Sequence, residues 1–138
     1  ATLEKHISIN QVSNIDLSKL GYAIDQNRGT SFIKEHPAKD LSLTEIADNI
    51  INGIEVVVVT LDELIKEKVD FIKVDVQGAE IKALTGAKNL ISIYQPDMLV
   101  EVAKSHMKDF RKFLETVKYK SVKAFDHGRY VNFYIKHT

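Results

Sequence analysis

Apolar positions recur along the chain in two rhythms. Alternating or short unbroken apolar runs occur in NIDLSKLGYAID (Asn14–Asp25), TSFI, IEVVVVT, VDFIKVD, PDMLVEVA, YKSVKAF and RYVNFYIKH, and each predicts a strand. Helical spacing appears in TLEKHISIN through Leu3 and Ile7, which reads as the tail of a helix. It appears again at Ile46, Ala47, Ile50 and Ile51, behind a capping box at Ser42–Glu45 and ahead of an Asn52-Gly53 stop. Thr60 and Glu63 form a second capping box that starts a short helix with Leu61, Leu64 and Ile65. One longer helix is expected through Ile81, Leu84, Ala87 and Ile91. Another is expected through Met107, Phe110, Leu114 and Val117, capped by Ser105. Pro37 and Pro96 fall between elements, DQNRG is turn chemistry, and DHG supplies the turn of a terminal hairpin.

From Val69 onward the order is strand, helix, strand, helix, strand, strand. Such alternation predicts an α/β fold whose mostly parallel sheet has helices on both faces, with an antiparallel C-terminal hairpin. The length of 138 residues suits a single domain, 1–138, with one core. Lys plus Arg and Asp plus Glu both number 19, so bulk charge offers no case for nucleic acid or an anionic membrane surface. The absence of cysteine excludes a disulfide framework, a thiolate zinc site and a cysteine nucleophile. GIEVVVVTL is the longest apolar run, far short of the ~20 residues of a membrane span. Without a signal peptide the expected location is cytoplasmic.

Candidate chemistry concentrates in DFIKVDVQGAEIKAL (Asp70–Leu84), where an apolar strand meets a helix. Side chains at the carboxyl ends of parallel strands face the crevice where α/β proteins bind ligands. Asp75 lies at such an end, and Glu101 lies near the end of the next strand, so the two can line one crevice if their pleats agree. Gly78 permits a sharp turn and close backbone approach, and Glu80 falls in the first helical turn, where an anion is favoured. A plainer reading makes Asp75 and Glu80 helix caps. Lys73, on the face of Asp75, is expected to pair with it or with Glu101, since unpaired buried charge is costly.

These residues resemble a family. Thr60-Leu61-Asp62-Glu63-Leu64, the run Lys73 to Glu80, Leu84-Thr85-Gly86-Ala87 and Pro96 through Glu101 are similar to the motifs of the FkbM family of S-adenosylmethionine-dependent methyltransferases. Upstream, LEKHISIN and GYAIDQNRGTSF resemble the helix, strand and turn that precede that block. The resemblance implies a Rossmann-like class I methyltransferase fold with Asp75 at the end of its fourth strand, where methyl donor and acceptor meet. It implies O-methylation of a hydroxyl on a sugar or other small molecule, with S-adenosylmethionine as cofactor. On that reading Asp75, Glu80 and Glu101 are the catalytic candidates, and Asp75, Gln77 and Gly78 are the cofactor contacts. Gln77 departs from the family's usual glutamate, which weakens a metal or base role there.

The family's glycine-rich cofactor loop has no counterpart, because the glycines at 21, 29, 53, 78, 86 and 128 are isolated. The chain is therefore expected to be the carboxyl-terminal part of a longer methyltransferase, lacking the first two strands and inactive alone. The alternatives are a non-catalytic, degenerate α/β module acting through its surface or as a homodimer, and a metal-dependent enzyme holding a divalent cation between Asp75 and Glu101. No dense ligand cluster demands such a metal. His106 reads most simply as a solvated residue at a helix start, although a base at the rim is the sharper option. His127 reads as a turn residue. Phe125, Tyr130, Phe133 and Tyr134 are expected in the sheet core, and the lysines of KDFRKFLETVKYK on a solvated helix face.

Overall fold

Two mixed sheets organise the chain, where the sequence predicts one that is mostly parallel. The computed structural model describes residues 2–18, 22–33, 46–47, 54–76 and 78–138. The first part comprises α1 (Thr2–Ile9), β1 (Tyr22–Ile24), β2 (Gly29–Ile33), β3 (Ile46–Ala47) and β4 (Ile54–Val59). Next come α2 (Leu61–Leu64), β5 (Phe71–Val74), α3 (Glu80–Thr85), α4 (Lys88–Tyr94) and β6 (Asp97–Ala103). A 3₁₀ turn (Lys104–His106) then leads into α5 (Met107–Val117), β7 (Tyr119–His127) and β8 (Tyr130–His137).

The strand orders are β1-β4-β2-β3 and β5-β6-β8-β7. Each sheet holds one parallel pair, β1 with β4 and β5 with β6, and the other pairings are antiparallel. A parallel neighbour needs a long crossover, and α3 with α4 supplies one between β5 and β6. The β7–β8 hairpin closes through Gly128 and Arg129, with His127 paired to Tyr130. Gly128 has φ 80°, which suits a two-residue hairpin turn. His127 is thus a strand residue, and the turn sits one position later than DHG suggests.

Among the described residues, helices cover one face of the second sheet, where the sequence predicts cover on both. The covered face presents Val74, Met98, Val100, Val102 and Ile135 to Leu84, Ile91, Phe110 and Phe113 of the helices. Burying each such side chain contributes ~1.5–3 kcal/mol. The register places Lys73, Leu99, Tyr134 and Lys123 together on the other face. Along β6 buried positions alternate strictly with half-buried ones. Asp97, Glu101, Asn132 and Lys136 all fall on the half-wet side, as period-two patterning requires. Phe133 packs against the core, whereas Tyr130 and Tyr134 are half-buried on the uncovered face and Phe125 is 42% exposed there. The lysines of α5 are solvated.

Other differences are local. Ile46 and Ala47 pair with Ile33 and Phe32 of β2, so tertiary pairing overrides their helical spacing. The Ser42–Glu45 box and the Asn52-Gly53 stop lie outside the described residues. Among the described residues of Asn14–Asp25, the strand is Tyr22–Ile24. Ser105 sits inside the 3₁₀ turn, and α5 starts after His106 without a side-chain cap. The capping box at Thr60 and Glu63 forms in full, each side chain bonding the other residue's backbone N–H.

The expected helix from Ile81 to Ile91 is broken at Gly86 and Ala87. A Cβ on Gly86 would stand 2.3 Å from the backbone oxygen of Asp25, so the end of β1 presses on the corner between α3 and α4. Asp62 holds the same corner. Its N–H donates to the Gly86 carbonyl at 2.9 Å, and its carboxylate accepts the N–H groups of Asn89 and Leu90 at 3.1 and 2.8 Å. The first turn of α4 is thus capped by a residue distant in sequence.

Candidate functional site

β5 and β6 run parallel and in register, Val74 opposite Val100, so both strands point their carboxyl ends to one rim. Continuing that register sets Asp75 beside Glu101 on the uncovered face. Lys73 joins them there. Its ammonium lies 2.8 Å from Asp75 Oδ2, and that bond and charge, with a lesser pull from Glu101, raise its pKa. Glu101 accepts a hydrogen bond from Asn132 Nδ2 at 3.2 Å. The expected pairing of Lys73 is therefore met by Asp75, and both are exposed at an edge strand rather than buried.

Glu80 is separated from that polar cluster. It is wholly buried at the start of α3, where Oε1 accepts the Gly78 N–H at 2.5 Å. Gly78 has φ 97°, a conformation that glycine adopts without the Cβ strain other residues meet. The N-cap of α3 is Ala79, without a side-chain bond, so neither Asp75 nor Glu80 caps that helix. Glu80 Oε2 is buried and accepts no hydrogen bond among the described residues. Its nearest ionisable neighbour is His106, whose Nδ1 lies 3.5 Å away. The His106 ring also borders Gly78, with Cε1 3.7 Å from where a Cβ would be.

The structure thus divides the three catalytic candidates. Asp75 and Glu101 share the wet face with Lys73 and Asn132, while Glu80 turns to His106 behind the Gly78 turn. Gln77 lies outside the described residues. His106, which the sequence offers as a solvated residue at a helix start or as a base at the rim, stands with its side chain 37% exposed beside Glu80, just after the strand that ends beyond Glu101. Among the described residues no group of three or more histidine, aspartate or glutamate side chains could hold a metal ion. No helix among them is long and apolar enough to cross a membrane.

A second polar cluster lies at the opposite end of β6. Lys136 lies 2.8 Å from Asp97 Oδ2 and Tyr134 donates to the same atom at 2.6 Å, and the lysine first and the tyrosine second hold the Asp97 carboxyl below the usual carboxylate range. This is strand-pairing chemistry on the wet face, remote from the rim.

A parallel strand–helix–strand unit with carboxylates at its carboxyl rim defines an α/β protein. The particular family is shown by comparison. The family model for the methyltransferase FkbM domain matches residues 5–127, and the chain belongs to the FkbM methyltransferase family. The crystal structure of a methyltransferase FkbM from Methylobacillus flagellatus KT has a similar fold, with a TM-score of 0.63 and 20% identity. That match covers 96% of this chain and 33% of the other, so the chain spans about a third of the relative's length. No curated protein matches the chain.

Proposed function

We propose that the protein transfers a methyl group from S-adenosylmethionine to a hydroxyl on a sugar or other small molecule, at the rim formed by β5 and β6. The observation that carries this reading is the rim itself. Within a chain of the FkbM methyltransferase family, it sets an exposed Asp75 and an incompletely partnered Glu80 on either side of a positive-φ glycine. These residues fit the acceptor side of such a site. Asp75 offers a carboxylate to a hydroxyl or amino group, and Gly78 keeps the backbone open to close approach. The glycine-rich turn that would cradle the rest of the cofactor has no counterpart in the 138 residues.

S-adenosylmethionine supplies an electrophilic methyl carbon. The protein's share is alignment of the acceptor and removal of its proton. Asp75 positions the acceptor hydroxyl, held in place by Lys73, and Glu101 lines the same face with Asn132 fixing its orientation. The cofactor contacts fall to Asp75, Gln77 and Gly78. The partner we propose is a small-molecule hydroxyl acceptor rather than nucleic acid or a membrane, for which a chain of no net charge makes no bulk electrostatic case.

The test is tritiated methyl transfer from S-adenosylmethionine to a panel of monosaccharides, using the protein expressed from its whole reading frame. Label in a sugar ether, with Asp75→Ala reduced at least about 100-fold as loss of a positioning group predicts, supports the reading. Transfer by Asp75→Ala at the wild-type rate contradicts it.

A further inference from the structure

We infer that His106 is the base that takes the acceptor's proton, with Glu80 as the positioning residue that fixes its tautomer; the inference rests on the methyl-transfer reading above. Three observations carry it. Glu80 is fully buried, yet one carboxylate oxygen has no hydrogen-bond donor among the described residues. A buried acceptor left in that state costs stability, so a donor in reach is favoured. His106 Nδ1 is the group in reach, at 3.5 Å. A movement of about half an ångström brings it within the ~2.7–3.2 Å of a formed N–H···O bond. Catalytic hydrogen bonds of this kind are commonly long in the unliganded state and tighten with ligand.

The second observation is direction. When Nδ1 carries the proton toward Glu80, Nε2 holds the lone pair. Among the described residues Nε2 makes no hydrogen bond, and the ring is 37% exposed at the rim. The third is the Gly78 turn. With no side chain at Gly78, the ring edge lies against open backbone rather than a Cβ, in the turn that follows Asp75. Asp75 itself is less suited to the proton, because Lys73 already donates to its carboxylate at 2.8 Å.

The step balances as follows. The acceptor oxygen attacks the methyl carbon, the carbon–sulfur bond breaks with its electron pair going to sulfur, and the hydroxyl proton passes to His106 Nε2. The imidazolium so formed faces the Glu80 carboxylate, and it later releases its proton to water.

The first readout needs neither cofactor nor acceptor. Long-range ¹⁵N–¹H correlation spectra, recorded well above the ordinary histidine pKa of about 6.5, report each imidazole's tautomer. His106 is expected as Nδ1–H, with the exposed His6 and His127 in the Nε2–H form that free imidazole side chains prefer. Glu80→Ala should return His106 to Nε2–H. Wild-type His106 in the Nε2–H form overturns the pairing whether or not Glu80→Ala folds.

The second readout uses the whole-frame protein, tritiated S-adenosylmethionine and the monosaccharide panel. His106→Gln should lower kcat about 100-fold, the lower range for a general base, while calorimetric binding of S-adenosylmethionine stays unchanged. Equal kcat overturns His106 as the base. A wild-type protein that binds no S-adenosylmethionine counts instead against the methyl-transfer reading, and the tautomer spectra then decide the Glu80–His106 pairing by themselves.

Discussion

Gly86 shows how one missing Cβ joins two parts of the chain. The backbone oxygen of Asp25 occupies the space where a side chain at position 86 would begin, and Lys82 reaches the Asp25 carboxylate at 3.5 Å beside it. Gly86→Ala must displace backbone, and overpacking of this kind costs ~1–3 kcal/mol. Gly29→Ala meets no atom within 4 Å and serves as the control. Urea denaturation should show a lowered midpoint for Gly86→Ala and little change for Gly29→Ala. At this scale the sequence is partly legible. Gly86 stands in a recognisable Leu84–Ala87 motif, but its reason is a contact with residue 25 that no local pattern discloses. Glu80 is similar. Its place in a first helical turn suggests an anion favoured by the helix end or a cap, whereas its burial and its approach to His106 depend on how the Gly78 turn folds back.

Elements follow the sequence where their signals are local. The capping box of α2 forms as Thr60 and Glu63 predict, because both bonds close within four residues. The 46–47 segment does not follow its helical spacing, because pairing with β2 outweighs it. The break between α3 and α4 is likewise imposed from outside by Asp25 and Asp62. Asp62→Ala removes the acceptor for two N–H groups at the start of α4 and should cost about 1–2 kcal/mol, as loss of a helix cap does. Asp62→Asn keeps one acceptor oxygen and should lose less, measured by chemical denaturation of both variants.

Tyr119, at the start of β7, anchors the hairpin through a hydroxyl that donates to the Pro96 carbonyl at 2.9 Å. Burial, helped by the Asp97 charge, pushes its pKa up to about 12. Because the folded value lies above the unfolded value of about 10, this contribution is complete below about pH 10. It is lost as pH rises toward the folded value. The urea midpoint should fall across that window in the wild type. The fall should be smaller in Tyr119→Phe, which starts lower for want of the Pro96 bond.

At the scale of the whole molecule, the sequence conveyed the α/β class and the strand–helix–strand order from Val69 onward, and it conveyed the family. It misjudged cover and parallelism. Alternation in β6 and β8 was read as apolar strands within a two-faced sheet, whereas Asp97, Glu101, Asn132 and Lys136 mark a face that the described helices leave open. The rim of β5 and β6 gains its meaning from that division, with Asp75 and Glu101 on the open side and Glu80 with His106 behind the turn.

The central claim is that this rim meets S-adenosylmethionine, and calorimetric titration tests it most directly. The protein from the whole reading frame, wild type and Asp75→Ala, would be titrated with S-adenosylmethionine. The account predicts saturable binding, weakened about tenfold or more in Asp75→Ala, as loss of one charge-assisted hydrogen bond implies. Absence of binding to the wild type, or equal affinity in the two proteins, would contradict it.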